Sequence, residues 1–295
     1  MDKECLIYNR LISDDVINQV YGKSINFIIN YMTKYNLKTM VLGLSGGLDS
    51  TVAASICHEV SKRSGIKLIG RSLPILNKKQ ENNIATKCSI FCGDFNVIEL
   101  NDIYNSFLKL LENSNEKNET PNINVANGNI QARLRMIYLY HVAQVNDGIV
   151  IDTDNLSEHF TGFFTIHGDV GILSPFSQLW KTEVYSLAEF LMKRHASNME
   201  YDMASALKHA IEITPTDGLG ISSSDCEQLG VKNYQELDKI LIQYLNGISV
   251  DDIKKDEIFV GREKCVDKII QRHIGSQFKR NKLPIDAEIG LERNY

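Results

Sequence analysis

The chain has 295 residues, of which 43% are hydrophobic and 23% are charged, and its formal net charge at pH 7 is −5. This length and composition allow one substantial core, so we predict a single domain over residues 1–295. The acidic balance argues against nucleic acid as a partner. No stretch is long and apolar enough to span a bilayer, and the first residues do not form a secretion signal. We therefore predict no membrane partner and a cytoplasmic location.

The six cysteines are scattered along the chain without a disulfide framework, which is typical of a reducing compartment. Cys88 and Cys92 lie one helical turn apart. That spacing fits either part of a metal or cluster site or two cysteines on the buried face of one helix. Because no second pair completes a metal site, the sequence favours the buried face.

Short apolar strands alternate with helices through the first half of the chain. After an amphipathic helix near residues 13–35, the pattern predicts strands at 40–44, 67–75, 96–100 and 149–151 and helices at 49–64, 79–91 and 102–111. Further helices are predicted at 181–193, 233–245 and 262–274. The alternation predicts an α/β fold in which helices cover both faces of a parallel sheet. Ligands bind such sheets beyond the carboxyl ends of the strands.

Residues 112–128 are polar, rich in Asn and Glu, and too long for an ordinary connection. They form either a mobile lid or a solvated loop, and the sequence does not separate the two. A helix is predicted to follow, capped by Asn127 or Asn129. In its first turns, Arg133 and Arg135 are either solvated or placed to clamp a phosphate or carboxylate, for which the planar guanidinium is suited.

The segment TMVLGLSGGLDST, residues 39–51, predicts a strand, a tight turn at 45–47 and a helix beginning near Asp49. Adjacent glycines let the backbone approach a ligand, and the N–H groups of the helix start attract an anion, most naturally phosphate. No lysine follows the glycines, which excludes the loop G-x-x-x-x-G-K-[ST]. A carboxylate beside a polyphosphate requires a bridging cation, so we predict that Asp49 binds Mg²⁺.

Polar residues also crowd the end of the strand at 149–151. The spacing between Thr153 and Glu158 places a hydroxyl and a carboxylate on the same side of a turn that enters a helix. Glu158 is therefore predicted to complete the magnesium shell that Asp49 begins.

The string Ser-Gly-Gly-x-Asp-Ser at residues 45–50 resembles the pyrophosphate loop of the ATP pyrophosphatases. These enzymes adenylate a carbonyl oxygen, release pyrophosphate and let a nitrogen or sulfur nucleophile displace AMP. Together with GNIQARLRM, TDNLSEHFTGFFTIHGD, SPFSQLWKTEVYSLAEFL, TPTDGL and FKRNKLPI, the loop makes most of the chain similar to the NAD synthetase family. The resemblance implies a Rossmann-like fold of the adenine nucleotide alpha hydrolase type. It also implies a homodimeric C–N ligase that uses ATP and ammonia to amidate deamido-NAD to NAD⁺.

The resemblance assigns roles to individual residues. It implies that Asp49 and Glu158 bind Mg²⁺, that Arg133 and Lys279 contact deamido-NAD, and that Lys181 and Asp49 act in catalysis. The residues that it implies for ATP are Gly43, Leu44, Ser45, Gly46, Gly47, Leu48, Asp49, Ser50, Thr153, Lys181 and Thr216.

The implied chemistry requires no side-chain nucleophile, because the substrate carboxylate and then ammonia attack. A general base for ammonium has two candidates, Asp169 and Asp154. Since 44 residues precede the loop, we expect no glutaminase domain. Ammonia then comes from solution or from a separate subunit.

The chain departs from bacterial members of the family at the implied acceptor site. Ile166 stands where they have a lysine, and Phe278 stands where they have a histidine. The insertion of Ser72 shifts Arg71 by one residue, which reverses the face of the strand on which it lies. These departures leave the ATP half intact. The alternatives are another amide-forming or thiolating enzyme with a different acceptor, and a non-catalytic relative that binds ATP.

Overall fold

The computed structural model describes residues 13–76, 85–114, 122–216 and 224–281. Its strands are β1 (Thr39–Gly43), β2 (Lys67–Ser72), β3 (Asp94–Val97) and β4 (Gly148–Val150). They form one parallel sheet in the order β3-β2-β1-β4. The chain moves outward from β1 to β3 and then returns to place β4 on the other side of β1. This reversal leaves a crevice beyond the carboxyl ends of β1 and β4, where open parallel sheets bind ligands.

Helices cover both faces of the sheet, which confirms the predicted α/β architecture. They are α1 (Asp14–Lys34), α2 (Leu48–Ser64), α3 (Asn101–Asn113), α4 (Ile123–Val145), α5 (Leu156–Thr161), α6 (Lys181–Ser197), α7 (Tyr201–Glu212), α8 (Asp225–Leu229), α9 (Tyr234–Leu245), α10 (Val250–Lys254) and α11 (Glu263–Gly275). One core lies between the sheet and α1, α2, α6 and α7, and a second lies between the sheet and α3 and α4. A third core is formed by the helices α8, α9, α10 and α11.

Helix α2 is positioned by glycines at both ends. Gly47 is its N-cap, and Gly65 ends it with a φ of 74°, the left-handed conformation that favours glycine. The side chains of its first turns, from Leu48 to Ser50 and on to Cys57, are mostly buried. A helix buried on all sides is held by packing, so its N-terminus is fixed above the end of β1.

Two predicted strands have other limits in the structure. The strand predicted at 67–75 ends at Ser72, and the strand predicted at 96–100 is Asp94–Val97. Pairing decides these limits, because β2 and β3 pair only from Ile69 to Ser72 of β2. Leu73 beyond that point is buried in the second core without strand pairing. Apolar character alone did not distinguish a strand from a buried connection.

The prediction of a loop at 112–128 is wrong where this segment is described. Helix α3 continues to Asn113, and α4 already begins after its N-cap, Asn122. Neither Asn127 nor Asn129 is therefore the cap. Residues 115–121, which the predicted lid includes, lie outside the described residues.

Tertiary contacts stabilise the early start of α4 against its Asn and Gly content. Gly128 is buried, and the side chain of Asn129 accepts a hydrogen bond from Thr165 Oγ1 at 2.8 Å. Helix propensity is a weak preference that such contacts override.

The remaining predictions differ by smaller amounts. The predicted helix at 79–91 is described from residue 85, where one helical turn leads into the 3₁₀ turn Ser89–Phe91. Helices α9 and α11 begin one residue later than predicted, and α6 extends to Ser197. Helices α7, α8 and α10 were not predicted. Across the described ranges, no helix combines the length and apolarity needed to cross a membrane.

Candidate active site

The turn between β1 and α2 forms a short backbone cradle. Gly46 has a φ of 83°, and Gly47 leads into the helix. Ser45 Oγ accepts the N–H of Gly47 at 3.1 Å, while Ser50 Oγ donates to the carbonyl of Gly47 at 3.2 Å. These bonds fix the turn at a helix N-terminus, which is an arrangement suited to phosphate. The run from Gly43 to Ser50, implied for ATP, is thus one continuous structural unit.

Lys181, the first residue of α6, lies between two carboxylates. Its Nζ donates to Asp49 Oδ2 and lies 3.4 Å from Glu158 Oε1. Asp49 comes from the first turn of α2, and Glu158 comes from α5, which follows β4. The structure therefore brings together the two predicted magnesium ligands and the lysine implied in catalysis, at the carboxyl ends of β1 and β4.

Lys181 is 3% exposed, so its ammonium is inside the protein rather than in solvent. Burial by itself lowers the pKa of Lys181, but the negative charges of Asp49 and Glu158 outweigh burial and raise the pKa above its ordinary value. The lysine therefore remains positively charged. Its charge balances one of the two carboxylates that face it.

The positions of Asp49 and Glu158 fit a shared magnesium ion. Both side chains reach one cation, the ammonium of Lys181, and carboxylate oxygens completed by substrate phosphates and water are the ligands that Mg²⁺ takes in nucleotide sites. Among the side chains that the structure describes, no group of three or more His, Cys, Asp or Glu is placed to hold a metal by itself. This donor set suits an ion that is bound together with a triphosphate.

A cavity of about 750 Å³ lies next to this ion cluster. Helix α4 contributes Arg133 to its lining, the turn after α11 contributes Lys279, and the segment after β4 contributes Asp154. The two residues implied for deamido-NAD therefore line the same cavity. Ile166, which stands where bacterial relatives have a lysine, lies in its wall as well.

Backbone carbonyl groups hold Arg133 and Lys279, which line this cavity together with Arg280. Lys279 Nζ donates to the carbonyls of Gly162 at 2.8 Å and Phe164 at 2.5 Å, and it lies 5.1 Å from the ring centre of Phe164. Arg133 Nη2 donates to the carbonyl of Ile166 at 3.2 Å. Carbonyl groups orient a cation without neutralising it, so the positive charge in this cavity suits an anionic ligand.

The structure separates the two predicted candidates for the general base. Asp154 lines the cavity. Asp169 Oδ1 instead accepts the N–H of Thr165 at 2.8 Å and closes a local loop. Burial raises the pKa of Asp169 to about 6, and burial together with the charges of Asp152 and Glu158 raises the pKa of Asp154. Of the two candidates, Asp154 is thus the one that lines the cavity.

Thr153 and Thr216, which the resemblance implies for ATP, lie on two different segments of the chain. Thr153 follows β4 and precedes Asp154. Thr216 is exposed, and the preceding Pro215 accepts the N–H of Asp225 at 3.1 Å. Asp225 Oδ2 accepts the hydroxyl hydrogen of Tyr234 at 3.0 Å, and the Tyr234 ring centre lies 5.1 Å from Lys181 Nζ. The segment that carries Thr216 is thus tied to the wall beside Lys181.

Arg71 makes a structural ion pair and does not enter the cavity lining. Its guanidinium donates to both oxygens of Asp94, at 2.8 and 3.1 Å.

Cys88 and Cys92 flank the 3₁₀ turn Ser89–Phe91. The sulfur of Cys88 lies 3.1 Å from Thr51 Oγ1, and burial raises the pKa of both thiols. Cys88 is buried as predicted, but Cys92 is half-buried and lies in extended backbone after the turn, so the two cysteines do not share the face of one helix.

The sequence matches the NAD synthase family over residues 20–283, which is most of the chain. The chain belongs to this family. It is 31% identical over 275 residues to the NH(3)-dependent NAD(+) synthetase of Thermococcus sibiricus, covering 92% of this chain and 97% of that protein. It is 33% identical over 222 residues to the enzyme of the same name from Finegoldia magna, covering 75% of this chain and 82% of that protein.

Solved structures agree with the family assignment. The NMN synthetase of Francisella tularensis aligns with a TM-score of 0.72 at 29% identity, covering 92% of this chain and 98% of that one. The NH3-dependent NAD synthetase of Campylobacter jejuni aligns with a TM-score of 0.66 at 22% identity, covering 92% and 99% of the two chains, and this match concerns the fold alone. The predicted Rossmann-like fold is thereby confirmed.

One site residue of this NAD synthase family member was missed by the sequence reasoning. Asn155 Nδ2 donates to Asp49 Oδ1 at 3.0 Å, and Asn155 Oδ1 accepts the N–H of Glu158 at 3.1 Å. The Glu158 side chain in turn accepts the N–H of Asn155 at 3.2 Å, which completes a capping box. Asn155 therefore holds both predicted metal ligands. The spacing of an Asn three residues before a Glu at a helix start was the available signal.

Proposed function

We propose that this protein is an ammonia-dependent NAD⁺ synthase, which amidates deamido-NAD at the expense of ATP. The observation that carries this proposal is the ion cluster of Asp49, Glu158 and Lys181 at the phosphate-type turn, together with a cavity that has Arg133 and Lys279 in its wall and is also lined by His159, the neighbour of Glu158 in the sequence. Such a site offers a place for a triphosphate and, next to it, a place for an anionic acceptor. Ammonia as the nitrogen donor is supported by the names of the relatives that the chain matches along most of their length.

In the first half-reaction, a carboxylate oxygen of the nicotinate group attacks the α-phosphorus of ATP, and the bond to pyrophosphate breaks. The ammonium of Lys181 stabilises the negative charge that develops on the leaving pyrophosphate. Asp49 and Glu158 would hold Mg²⁺, which supplies further charge neutralisation when it is bound. Asn155 keeps the two carboxylates in register for this role.

In the second half-reaction, ammonia attacks the adenylated carbonyl carbon, the added nitrogen loses a proton to solvent, and AMP leaves with the electron pair of the broken C–O bond. Ammonium must first lose a proton, and Asp154 in the cavity wall is placed to accept it. Arg133 and Lys279 orient the acceptor through its phosphates. The products are an amide, AMP and pyrophosphate.

A mononucleotide acceptor is the second candidate. Ile166 and Phe278 replace two polar residues expected at the dinucleotide site, and the Francisella tularensis structure, to which the chain is similar, is named as an NMN synthetase. Nicotinate mononucleotide has the same carboxylate as deamido-NAD but lacks the adenylyl half. Amidation would therefore use the same ATP site with a smaller acceptor.

The test is pyrophosphate release from ATP, Mg²⁺ and ammonium in the presence of deamido-NAD, of nicotinate mononucleotide, or of neither. The products are identified by mass. We expect release to depend on deamido-NAD and NAD⁺ to form. Release that depends only on the mononucleotide would establish the second candidate, and ATP binding without release would indicate a non-catalytic relative.

We also infer that the protein is a homodimer. Ile103, Phe107 and Leu110 form an apolar row on α3 with exposures of 55%, 39% and 59%, and Ile137 on α4 is 68% exposed. Exposed apolar patches of this kind mark interaction sites. Ile137 also lines the cavity, so a second copy that packs on Ile137 would cover the acceptor. Sedimentation velocity should show a dimer for the native chain and a monomer for Phe107→Glu.

A cytoplasmic location and the requirement for Mg²⁺ belong to the same proposal. The five cysteines within the described ranges are all free thiols, which suits a reducing compartment. Mg²⁺ is supported by the two carboxylates that share one cation. Titration of the activity with Mg²⁺ and EDTA tests the metal requirement.

A further inference from the structure

Asp238 lies outside the residues that touch the reactants, yet it makes the hydrogen bonds that hold the backbone of Lys181. It is 2% exposed on α9. Its Oδ2 accepts the Thr182 N–H at 3.0 Å and the Thr182 hydroxyl at 2.8 Å. Its Oδ1 accepts the Ser157 hydroxyl at 2.5 Å, and Ser157 Oγ accepts the N–H of Lys181 at 2.9 Å. One carboxylate thus fixes, directly or through Ser157, the first two N–H groups of α6.

The first N–H groups of a helix have no partner within that helix, and a carboxylate at that position also interacts favourably with the helix dipole. Asp238 therefore fixes both the position and the direction of the turn from which the Lys181 side chain begins. Ser157, its other partner, immediately precedes Glu158 on α5. The same carboxylate consequently sets the distance between the helix that carries the lysine and the helix that carries one of its two carboxylate partners.

Tyr234 lies one helical turn before Asp238 on α9, so the two side chains share a face of that helix. The Tyr234 ring centre lies 5.1 Å from Lys181 Nζ. Helix α9 therefore reaches Lys181 in two ways: Tyr234 lies beside the ammonium, and Asp238 holds the backbone through Thr182 and Ser157. Helix α9 belongs to the third core, so this contact links that core to the chemistry.

We propose that Asp238 is a positioning residue, which acts on pyrophosphate release by holding Lys181 in place. The inference rests on the proposed function, because that function gives Lys181 its role. Asp238 touches Ser157 and Thr182 and needs no contact with ATP or the acceptor. Its effect must therefore pass through Lys181.

The experiment is a double-mutant cycle of Asp238→Asn and Lys181→Met, with pyrophosphate release as the rate. Asp238→Asn keeps the size of the side chain but loses one acceptor and the charge. We expect kcat to fall about tenfold to a hundredfold, the range in which a displaced catalytic group loses rate, with the KM for the acceptor unchanged. In the Lys181→Met background, Asp238→Asn should change the residual rate by less than about twofold, because coupled residues are not additive.

Asp256→Asn is the matched control. Asp256 follows α10, and its Oδ2 pairs with Nζ of Lys239, a residue of α9, at 2.5 Å. This variant should lower the thermal midpoint and leave kcat unchanged. If Asp238→Asn behaves in the same way, or if it lowers the rate by an equal factor in both Lys181 backgrounds, its role is structural and the proposal is overturned.

Two further measurements keep the outcome clear. If Asp238→Asn does not fold, Thr182→Val removes one of the hydrogen bonds and should still lower kcat by about two- to fivefold; an unchanged kcat would contradict the proposal. If the native chain releases no pyrophosphate with either acceptor, the proposed function fails.

Calorimetry with Mg²⁺-ATP then tests separately whether Asp238 positions Lys181. Asp238→Asn should weaken ATP binding in the native background and have no further effect beside Lys181→Met.

Discussion

The ATP half and the acceptor half of the site hold their charges in different ways. In the ATP half, the ammonium of Lys181 is buried and contacts the carboxylates of Asp49 and Glu158. In the acceptor half, Arg133 and Lys279 bond to backbone carbonyls and line an open cavity. The first arrangement is paired internally and must rearrange when a metal and a triphosphate bind. The second presents unneutralised positive charge to a ligand, so the two halves should respond differently to the same kind of substitution.

The largest effect is expected in the ATP half. Asp49→Asn and Glu158→Gln should each lower pyrophosphate release by about a hundredfold to a thousandfold or more, because each removes a charge that would hold Mg²⁺ at the phosphates. The fold should persist, since Lys181 keeps its other carboxylate partner. The rate is measured across a range of Mg²⁺ concentrations, and the fold is checked by circular dichroism.

Asp94→Asn is the control for these two variants. It removes a half-exposed carboxylate that pairs with Arg71 on the same sheet, and it should leave the rate unchanged. If a variant of Asp49 or Glu158 has the same rate as the native chain at limiting Mg²⁺, the replaced residue does not bind the metal.

Smaller losses, confined to one substrate, are expected in the acceptor half. Arg133→Met and Lys279→Met should raise the KM for the acceptor by about tenfold to a hundredfold and leave the KM for ATP nearly unchanged, because a charged hydrogen bond contributes about 1.5–3 kcal/mol. Steady-state kinetics with each substrate varied in turn separates the two constants. Arg135→Met serves as the control on the same helix, since Arg135 Nε donates to the carbonyl of Leu73 instead. Equal changes in the KM for ATP and in the KM for the acceptor would mean that Arg133 and Lys279 contact both substrates, which would contradict this prediction.

The sequence was most informative about the ATP half. A strand, two glycines and an Asp at a helix start carry their structure locally, so the turn from Gly43 to Ser50 was predictable within one residue. Lys181 was predictable only through the family resemblance, because its helical pattern alone favours a solvated lysine. Its burial depends on Asp49 and Glu158, which lie far away in the sequence.

The acceptor half and the limits of several elements were less predictable for the same reason. The start of α4 depends on packing at Gly128 and on the contact between Asn129 and Thr165, which the local Asn-rich sequence does not contain. Asp238 also gave no local signal, since its partners Ser157 and Thr182 come from two other helices. Long-range contacts decided what propensity could not.

The buried charge near the ATP half should also affect stability. Burial raises the pKa of Glu183 to about 7, although its carboxylate accepts the Trp180 N–H at 2.9 Å. For an acid with a raised folded pKa, the stabilising contribution is complete below the unfolded value near 4.5 and is lost as the pH rises through about 7. The native chain should therefore lose stability between pH 5 and pH 8 as Glu183 ionises. Glu183→Gln cannot ionise at this position, so the fall in its unfolding free energy over the same range should be smaller by about 2 kcal/mol.

Urea unfolding at pH 5 and at pH 8 measures this difference. Glu59→Gln is the control, because Glu59 makes a surface pair with Arg63 at 2.7 Å and its replacement should leave the pH dependence unchanged. Equal pH dependence for the native chain and Glu183→Gln would mean that the charged carboxylate is fully compensated by its hydrogen bond. In that case, the burial of charge near the ATP half would have no measurable effect on the free energy of unfolding.

The smallest expected effect bears on which acceptor the cavity takes. Ile166→Lys adds a cation to the wall that already contains Arg133 and Lys279, at the position where bacterial relatives have lysine. If the acceptor is the dinucleotide, kcat/KM for deamido-NAD should rise by about two- to fivefold relative to that for nicotinate mononucleotide, the size of one exposed ion pair. Ile166→Met retains an apolar side chain and should leave that ratio unchanged. A rise for both acceptors together would place residue 166 near their common mononucleotide half, and the second phosphate of the dinucleotide would then need a different contact.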